Sequence, residues 1–261
     1  EDRIKFIISF LQYRCVTVLS EVWMTSLIYS NAFSLSLFSA QAVGDANNKY
    51  VTKEIKVDDF YRVKINTAFN VVYHHSKDSA GLIRIYGEEN ILDEVKPVSK
   101  DGTLEIKFVN TAKREYGVII LDVYSSDLQE VQSDAGGVFE TSGSLSGSEL
   151  DILLMGNGLV RCNKLDYGIV KARIMTGSGD IFLSGTCREA RLSIAGSGEI
   201  KGHELKARDV NCNITGNGSI GCWAEENLKA FITGKGDVYY KGKPTVKKRG
   251  IGSGRAIPLI D

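Results

Sequence analysis

A Gly-x-Gly triplet recurs at Gly156, Gly177, Gly196, Gly216, Gly234 and Gly252, at intervals of 21, 19, 20, 18 and 18 residues. A degenerate copy, "DAGGVF" at Asp134–Phe139, stands 20 residues before the first. A unit of about this length has no core of its own and buries its apolar face only by stacking on its neighbours, which is the signature of a solenoid. Glycine usage shows where the pattern starts. There is no glycine before Gly44, there are five in Gly44–Gly117, and 22 lie from Gly136 onward.

The flanks decide which solenoid. Counted from the first glycine of each triplet, position −2 reads Leu154, Met175, Ile194, Ile214 and Ile232; position −4 reads Ile152, Arg173, Leu192, Cys212 and Ala230; and −6 reads Leu150, Lys171, Ala190, Val210 and Leu228. After the triplet, +4 reads Val160, Ile181, Ile200, Ile220 and Val238, and +6 reads Cys162, Leu183, Gly202, Cys222 and Tyr240. Apolar residues alternate with polar ones on both sides of a turn, so each unit carries two short strands with one face inward. Helical spacing is absent. The chain is expected to be all-β, a parallel β-helix or related β-solenoid with repeats of about 20 residues. Only the Gly177 copy breaks register, with Arg173 and Lys171 at inward positions. A one-residue bulge that turns Ala172 and Ile174 inward accounts for it.

The triplets themselves read as corners rather than as a ligand loop. A phosphate cradle needs one glycine-rich turn opening a helix with a Lys-Ser/Thr pair. A calcium ladder needs aspartates at nine-residue spacing. Here the residue after the triplet is Leu159, Asp180, Glu199, Ser219, Asp237 or Arg255. No metal or cofactor site is expected.

Lys+Arg and Asp+Glu are 32 each, so no global field draws the chain to nucleic acid or an anionic membrane. The N-terminal stretch differs in kind. Arg3, Lys5 and Arg14 precede an uncharged run, Val22–Gly44, with "SAQA" at Ser39–Ala42. Residues 1–42 therefore read as a secretory signal cleaved after Ala42, or as an N-terminal membrane segment if uncleaved. The remaining bounds are 43–135 for a less regular N-terminal half, 136–245 for the Gly-x-Gly repeats and 246–261 for a capping repeat.

Cys162, Cys187, Cys212 and Cys222 remain after the signal. Three of them fall at inward positions, and Cys162 and Cys222 share a column three repeats apart. At one strand spacing per repeat that is roughly 14 Å, beyond disulfide reach, so buried thiols are favoured over bridges. His74 and His75 are adjacent on a strand and point to opposite faces, so they do not ligate one metal together.

Residues 46–133 carry strand texture without the glycines, with candidate strands at Phe60–Ile65, Phe69–His74, Leu82–Tyr86, Leu104–Val109 and Val118–Tyr124, and turn or helical matter at Glu88–Val95. The ordered set "VDDFYRVKINTAFNVVYH", "IRIYGEENILDEVKPVSKDGTLEIKF", "VIILDVYSSDLQEVQSDAGG" and the triplet repeats ending "VKKRGIGSGRAIPL" resembles the auto-transporter adhesin head GIN domain family of exported bacterial proteins, over about Lys53–Ile257. The resemblance implies a β-helical fold, export to the periplasm, outer-membrane surface or medium, and an adhesin-like binding role. It carries no catalytic residues across.

The function expected is non-catalytic binding, with a glycan or another cell-surface protein as partner, by a monomer that takes no nucleic acid. A rigid stack repeats exposed side chains at fixed spacing, which suits an extended ligand. Phe182, Trp223, Phe231 and Tyr239 are the candidate binding residues, since aromatic rings flank sugar rings well. The alternative is a polysaccharide lyase or hydrolase, which needs clustered acids and bases on one outer face. Its candidates are Asp180, Glu199 and Asp237, with Arg161, Lys201 and Lys241 beside them.

Overall fold

The computed structural model describes residues 49–109 and 117–259. The signal or anchor read in residues 1–42 lies outside them. Among the described residues no helix is long and apolar enough to cross a membrane.

The repeats form five long, bent strands stacked in parallel: β10 (Leu145–Met155), β11 (Leu159–Thr176), β12 (Asp180–Gly196), β13 (Glu199–Gly216) and β14 (Ser219–Gly234). The fold is a β-solenoid, as the sequence predicts. Each turn has three faces rather than the two strands read from the flanks. In β11 the buried side chains are Val160 and Cys162, then Leu165 and Tyr167, then Val170, Ala172 and Ile174. Parity slips by one between Cys162 and Leu165 and again between Tyr167 and Val170, which turns the strand without ending it. Lys164, at φ 53°, makes the first of these corners, and the ladder shifts register there. The middle face carries too few apolar residues to stand out in the sequence.

Ile174 and Ala172 do point inward. Leu154 pairs with Ile174 while Met155 pairs with Thr176, so Met175 is the extra, bulged residue. The innermost column is Leu154, Ile174, Ile194, Ile214 and Ile232, all at most 1% exposed. Its members explain the second glycine of every triplet after the first. A Cβ at Gly218 would lie 2.6 Å from Cγ2 of Ile194, and one at Gly236 2.7 Å from Cγ2 of Ile214. Each isoleucine thus occupies the space that a side chain on the next corner would need.

The N-terminal half builds rungs of the same stack, out of order. β2 (Arg62–Ile65) and β3 (Asn70–His75) form one rung. It lies between the rung of β6 (Thr103–Phe108) and β7 (Ile120–Ser125) on one side and that of β8 (Glu130–Ser133) and β9 (Val138–Ser142) on the other. β8 and β9 then pair with β10 and β11. Antiparallel strands close this end: β1 (Tyr50–Lys56) on β4 (Leu82–Glu88), β4 on β7, and β5 (Val95–Lys100) on β6. The single turn α1 (Glu89–Leu92) buries Ile91 and Leu92.

At the other end β15 (Val238–Lys241), β16 (Thr245–Arg249) and β17 (Ala256–Pro258) continue the ladders in register on two faces. Lys248 takes the inward place above Ala230, and every residue of β16 is exposed.

Cys162, Cys212 and Cys222 are buried, Cys187 is half-buried, and all four are free thiols. Burial pushes Cys162 and Cys187 up to about 12, so neither supplies a thiolate at neutral pH.

Candidate binding face

Two outer faces carry chemistry. The face after the Gly-x-Gly corner presents a column running Arg161, Phe182, Lys201, with Tyr239 further along opposite Gly221. Rungs about 4.8 Å apart stack like side chains closely, and here the stack alternates cation and ring. The Arg161 guanidinium sits 5.2 Å from the Phe182 centroid and the Lys201 ammonium 4.5 Å from it on this ladder. Trp223 is held likewise, with Lys206 at 4.9 Å and Lys241 at 5.6 Å. The flat faces of these two rings are therefore engaged by the protein's own cations.

Acids on this face are tied as well. Lys201 bridges Asp180 and Glu199, each at 3.2 Å. Burial pulls the Lys201 ammonium down, but the two carboxylates outweigh it and hold the group above its usual range. Arg255 bonds Asp237 through its side chain at 3.2 Å and its backbone N–H at 2.7 Å. Burial raises the Asp237 carboxyl, and these bonds more than reverse that. His203 folds over Gly221, where a Cβ would come within 1.9 Å of its ring. Burial, then the charge of Lys241, lowers its pKa. Among the described residues no group of three His, Cys, Asp or Glu side chains converges on a metal position.

The third face, ahead of the corner, is different. Strand register sets two outward columns, Asp151–Lys171–Arg191–Asn211–Lys229–Lys247 and Leu153–Arg173–Ser193–Asn213–Phe231–Arg249. Short Ser193, Asn211 and Asn213 leave a hollow between longer neighbours, an open groove of about 880 Å³. Phe231 rises from it 51% exposed. At the groove's inner end the charges are paired: Lys171 with Glu149 at 2.5 Å, Arg173 with Asp151 at 2.9 Å, and Arg191 with Glu189 at 2.8 Å. The Arg191 hydrogen bonds hold the Glu189 carboxyl below its ordinary value. Among the described residues, Lys229, Lys247 and Arg249 are not in any ion pair within 4.0 Å.

The four aromatics singled out from the sequence thus separate. Phe231 stands alone on the third face; Phe182, Trp223 and Tyr239 lie on or beside the other. Sequence reasoning takes Lys247 and Arg249 as charge along the capping edge and passes over Lys229 and the asparagines. Their signal was present at positions −5 and −3, where the last two repeats carry bases and no acid.

Comparison with known proteins agrees with this architecture. The family described as "Putative auto-transporter adhesin, head GIN domain" matches residues 59–244. A crystal structure titled as a putative adhesin from Parabacteroides merdae is 31% identical, with a TM-score of 0.67, covering 82% of this chain and 98% of that one. A putative adhesin from Bacteroides fragilis is 28% identical with a TM-score of 0.74, covering 81% and 97%. A protein from Parabacteroides distasonis titled as a putative lipid binding protein is 26% identical with a TM-score of 0.69, covering 82% and 98%. No curated protein matches the chain.

Proposed function

This chain belongs to the head GIN domain family of auto-transporter adhesins, and from that premise we propose that it is an exported, non-catalytic module that holds an extended ligand along its third face. The observation that carries the reading is the groove of about 880 Å³ in which outward columns repeat at rung spacing and Phe231 stands open. An extended glycan or the exposed strand of another surface protein lies naturally along such columns.

The enzyme alternative draws little support from the acids. Asp180, Glu199 and Asp237 are each held by a cation of the stack, whereas a glycosidase needs one carboxyl kept protonated and a second free to act opposite it. The adhesin names of the family and of the Bacteroides and Parabacteroides proteins point the same way.

The test is incubation with acidic and neutral polysaccharides. Retention without shortened chains is expected; new reducing or unsaturated ends accumulating with time would overturn the reading in favour of catalysis. Export has its own check. In a native-like bacterial host, mass spectrometry should find a mature terminus near Val43, in the periplasm, at the outer surface or in the medium. An intact N-terminal segment on membrane-bound protein would refute cleavage.

A further inference from the structure

The third face changes character along the stack. Through β11 and β12 each outward base has an acid, as in Lys171 with Glu149 and Arg191 with Glu189. On β14 and β16 the outward residues of the two columns are Lys229, Phe231, Lys247 and Arg249, with no acid among them. Two acids border the patch: Asp209, one rung back, accepts from Arg208 at 2.9 Å and from Asn227 at 2.7 Å and also feels the Lys229 charge, and Glu189, lining the groove, is held by Arg191. Three bases therefore surround one open ring, on rungs about 4.8 Å apart and columns about 7 Å apart. Register places Asn213 on one side of Phe231 and Arg249 on the other. The floor beyond is Ser193 and Asn211.

We infer that this patch is a subsite for an acidic saccharide, a sugar ring lying on Phe231 with its carboxylate among Lys229, Lys247 and Arg249. Each part has one task. An exposed phenyl face takes the apolar C–H face of a pyranose. A guanidinium fork takes a carboxylate in two hydrogen bonds, and the lysines add charge. Asparagine amides and a serine hydroxyl both donate and accept, which suits sugar hydroxyls and offers nothing particular to a bare phosphate. A nucleic-acid track needs bases along many rungs, and here Glu189 and Asp209 interrupt the field after two. A membrane face needs a cluster of apolar side chains beside the bases; in the two outward columns Phe231 has only charged neighbours on these rungs, while exposed Val246 takes the inward parity opposite Leu228 and exposed Ile251 lies past β16.

The assignment rests on the third-face reading above, and the experiment separates the two. The full chain is titrated with polygalacturonate, with neutral dextran, with a single-stranded oligonucleotide and with phosphatidylglycerol vesicles, at low and high salt. Polygalacturonate alone should bind, more weakly as salt rises. Phe231→Ala, and separately the triple change Lys229→Gln, Lys247→Gln, Arg249→Gln, should each weaken it on the order of tenfold. Phe182→Ala, on the other face, should leave it unchanged. Circular dichroism confirms that the variants fold. Equal binding of dextran and polygalacturonate, lost in Phe231→Ala but untouched by the triple change, overturns the acidic assignment and leaves the face standing. Binding only to oligonucleotide or to vesicles overturns the saccharide. Polygalacturonate binding unchanged in both variants overturns the face itself.

Discussion

Replacing Gly218 by alanine tests what holds the corners together. A Cβ there would lie 2.6 Å from the carbonyl oxygen of Gly198 and 2.6 Å from Cγ2 of Ile194, with Cδ1 at 3.2 Å. Carbon atoms pack best at about 3.5–4.0 Å, so the new methyl is about an ångström too close on two sides. The Gly198 carbonyl also accepts from the Ser219 N–H at 3.2 Å. Relief means lifting the corner off the rung below, weakening that bond and pushing Ile194 from its well. Overpacking of this kind costs about 1–3 kcal/mol, and the hydrogen bond adds about 1. The stiffer unfolded chain returns about 0.4–1 kcal/mol. The net loss is about 1–3.5 kcal/mol, and a domain of this size shifts by about 2–4 °C per kcal/mol. Thermal unfolding followed by circular dichroism should therefore show a fall of about 2–14 °C. Gly136→Ala is the control. Nothing lies within 4 Å of its Cβ position, so this variant should melt at or slightly above the parent. If the two variants melt at the same temperature, the second glycine of the triplet is not there to make room.

Ile194→Asp places a charge in a column 1% exposed and should unfold the domain or lower its melting temperature sharply, whereas the outward Ser193→Asp should be nearly neutral; equal melting would refute the inward assignment. Lys248 points inward on an open edge, a position that makes docking of another strand costly. Changing Lys247, Lys248 and Arg249 to Thr, Val and Thr should accordingly promote concentration-dependent association in sedimentation, and a variant that stays monomeric throughout would refute edge protection. The Glu189 carboxyl is held below its ordinary value near 4.5 by Arg191, so its stabilising contribution is present above that pH and is lost as pH falls through the depressed value. Glu189→Gln should flatten the acid limb of the stability profile below pH 4.5, and an unchanged limb would show that this pair does not contribute.

The parts of the fold that repeat were legible because each rung restates the same constraint. Ile194, Ile214 and Ile232 announce one column three times over, and even the lapse at Met175 could be placed from its neighbours. The middle face escaped because its inward pair changes from Leu165 and Tyr167 to Gly185 and Cys187 one rung later, so no column forms by residue type. In the N-terminal half nothing repeats. β1 sets half-buried Val51, Lys53 and Ile55 against exposed Tyr50, Thr52, Glu54 and Lys56 and reads as surface, while β5 contains Pro97, which a strand accommodates at a sheet edge, and β5 pairs only with β6. The binding face was harder still. Aromatic residues draw attention singly, but whether a ring is open depends on which side chains its rung neighbours bring, and Lys206 reaches Trp223 across a register shift between Gly202 and Lys206.

The interleaved rung at the N-terminal end bears on the order in which the chain becomes itself. β2 and β3 precede all of their ladder partners, since β6 to β9 run from Thr103 to Ser142. A chain delivered N-terminus first cannot begin stacking from its leading end. The rung of β2 and β3 finds its first partner only when β6 and β7 have arrived and its second only with β8 and β9, and the closure entropy of those long connections is met before either ladder rewards it. The triplet repeats, each resting on the one just made, carry no such delay. Ordering should therefore start in the repeats and reach the rung of β2 and β3 last.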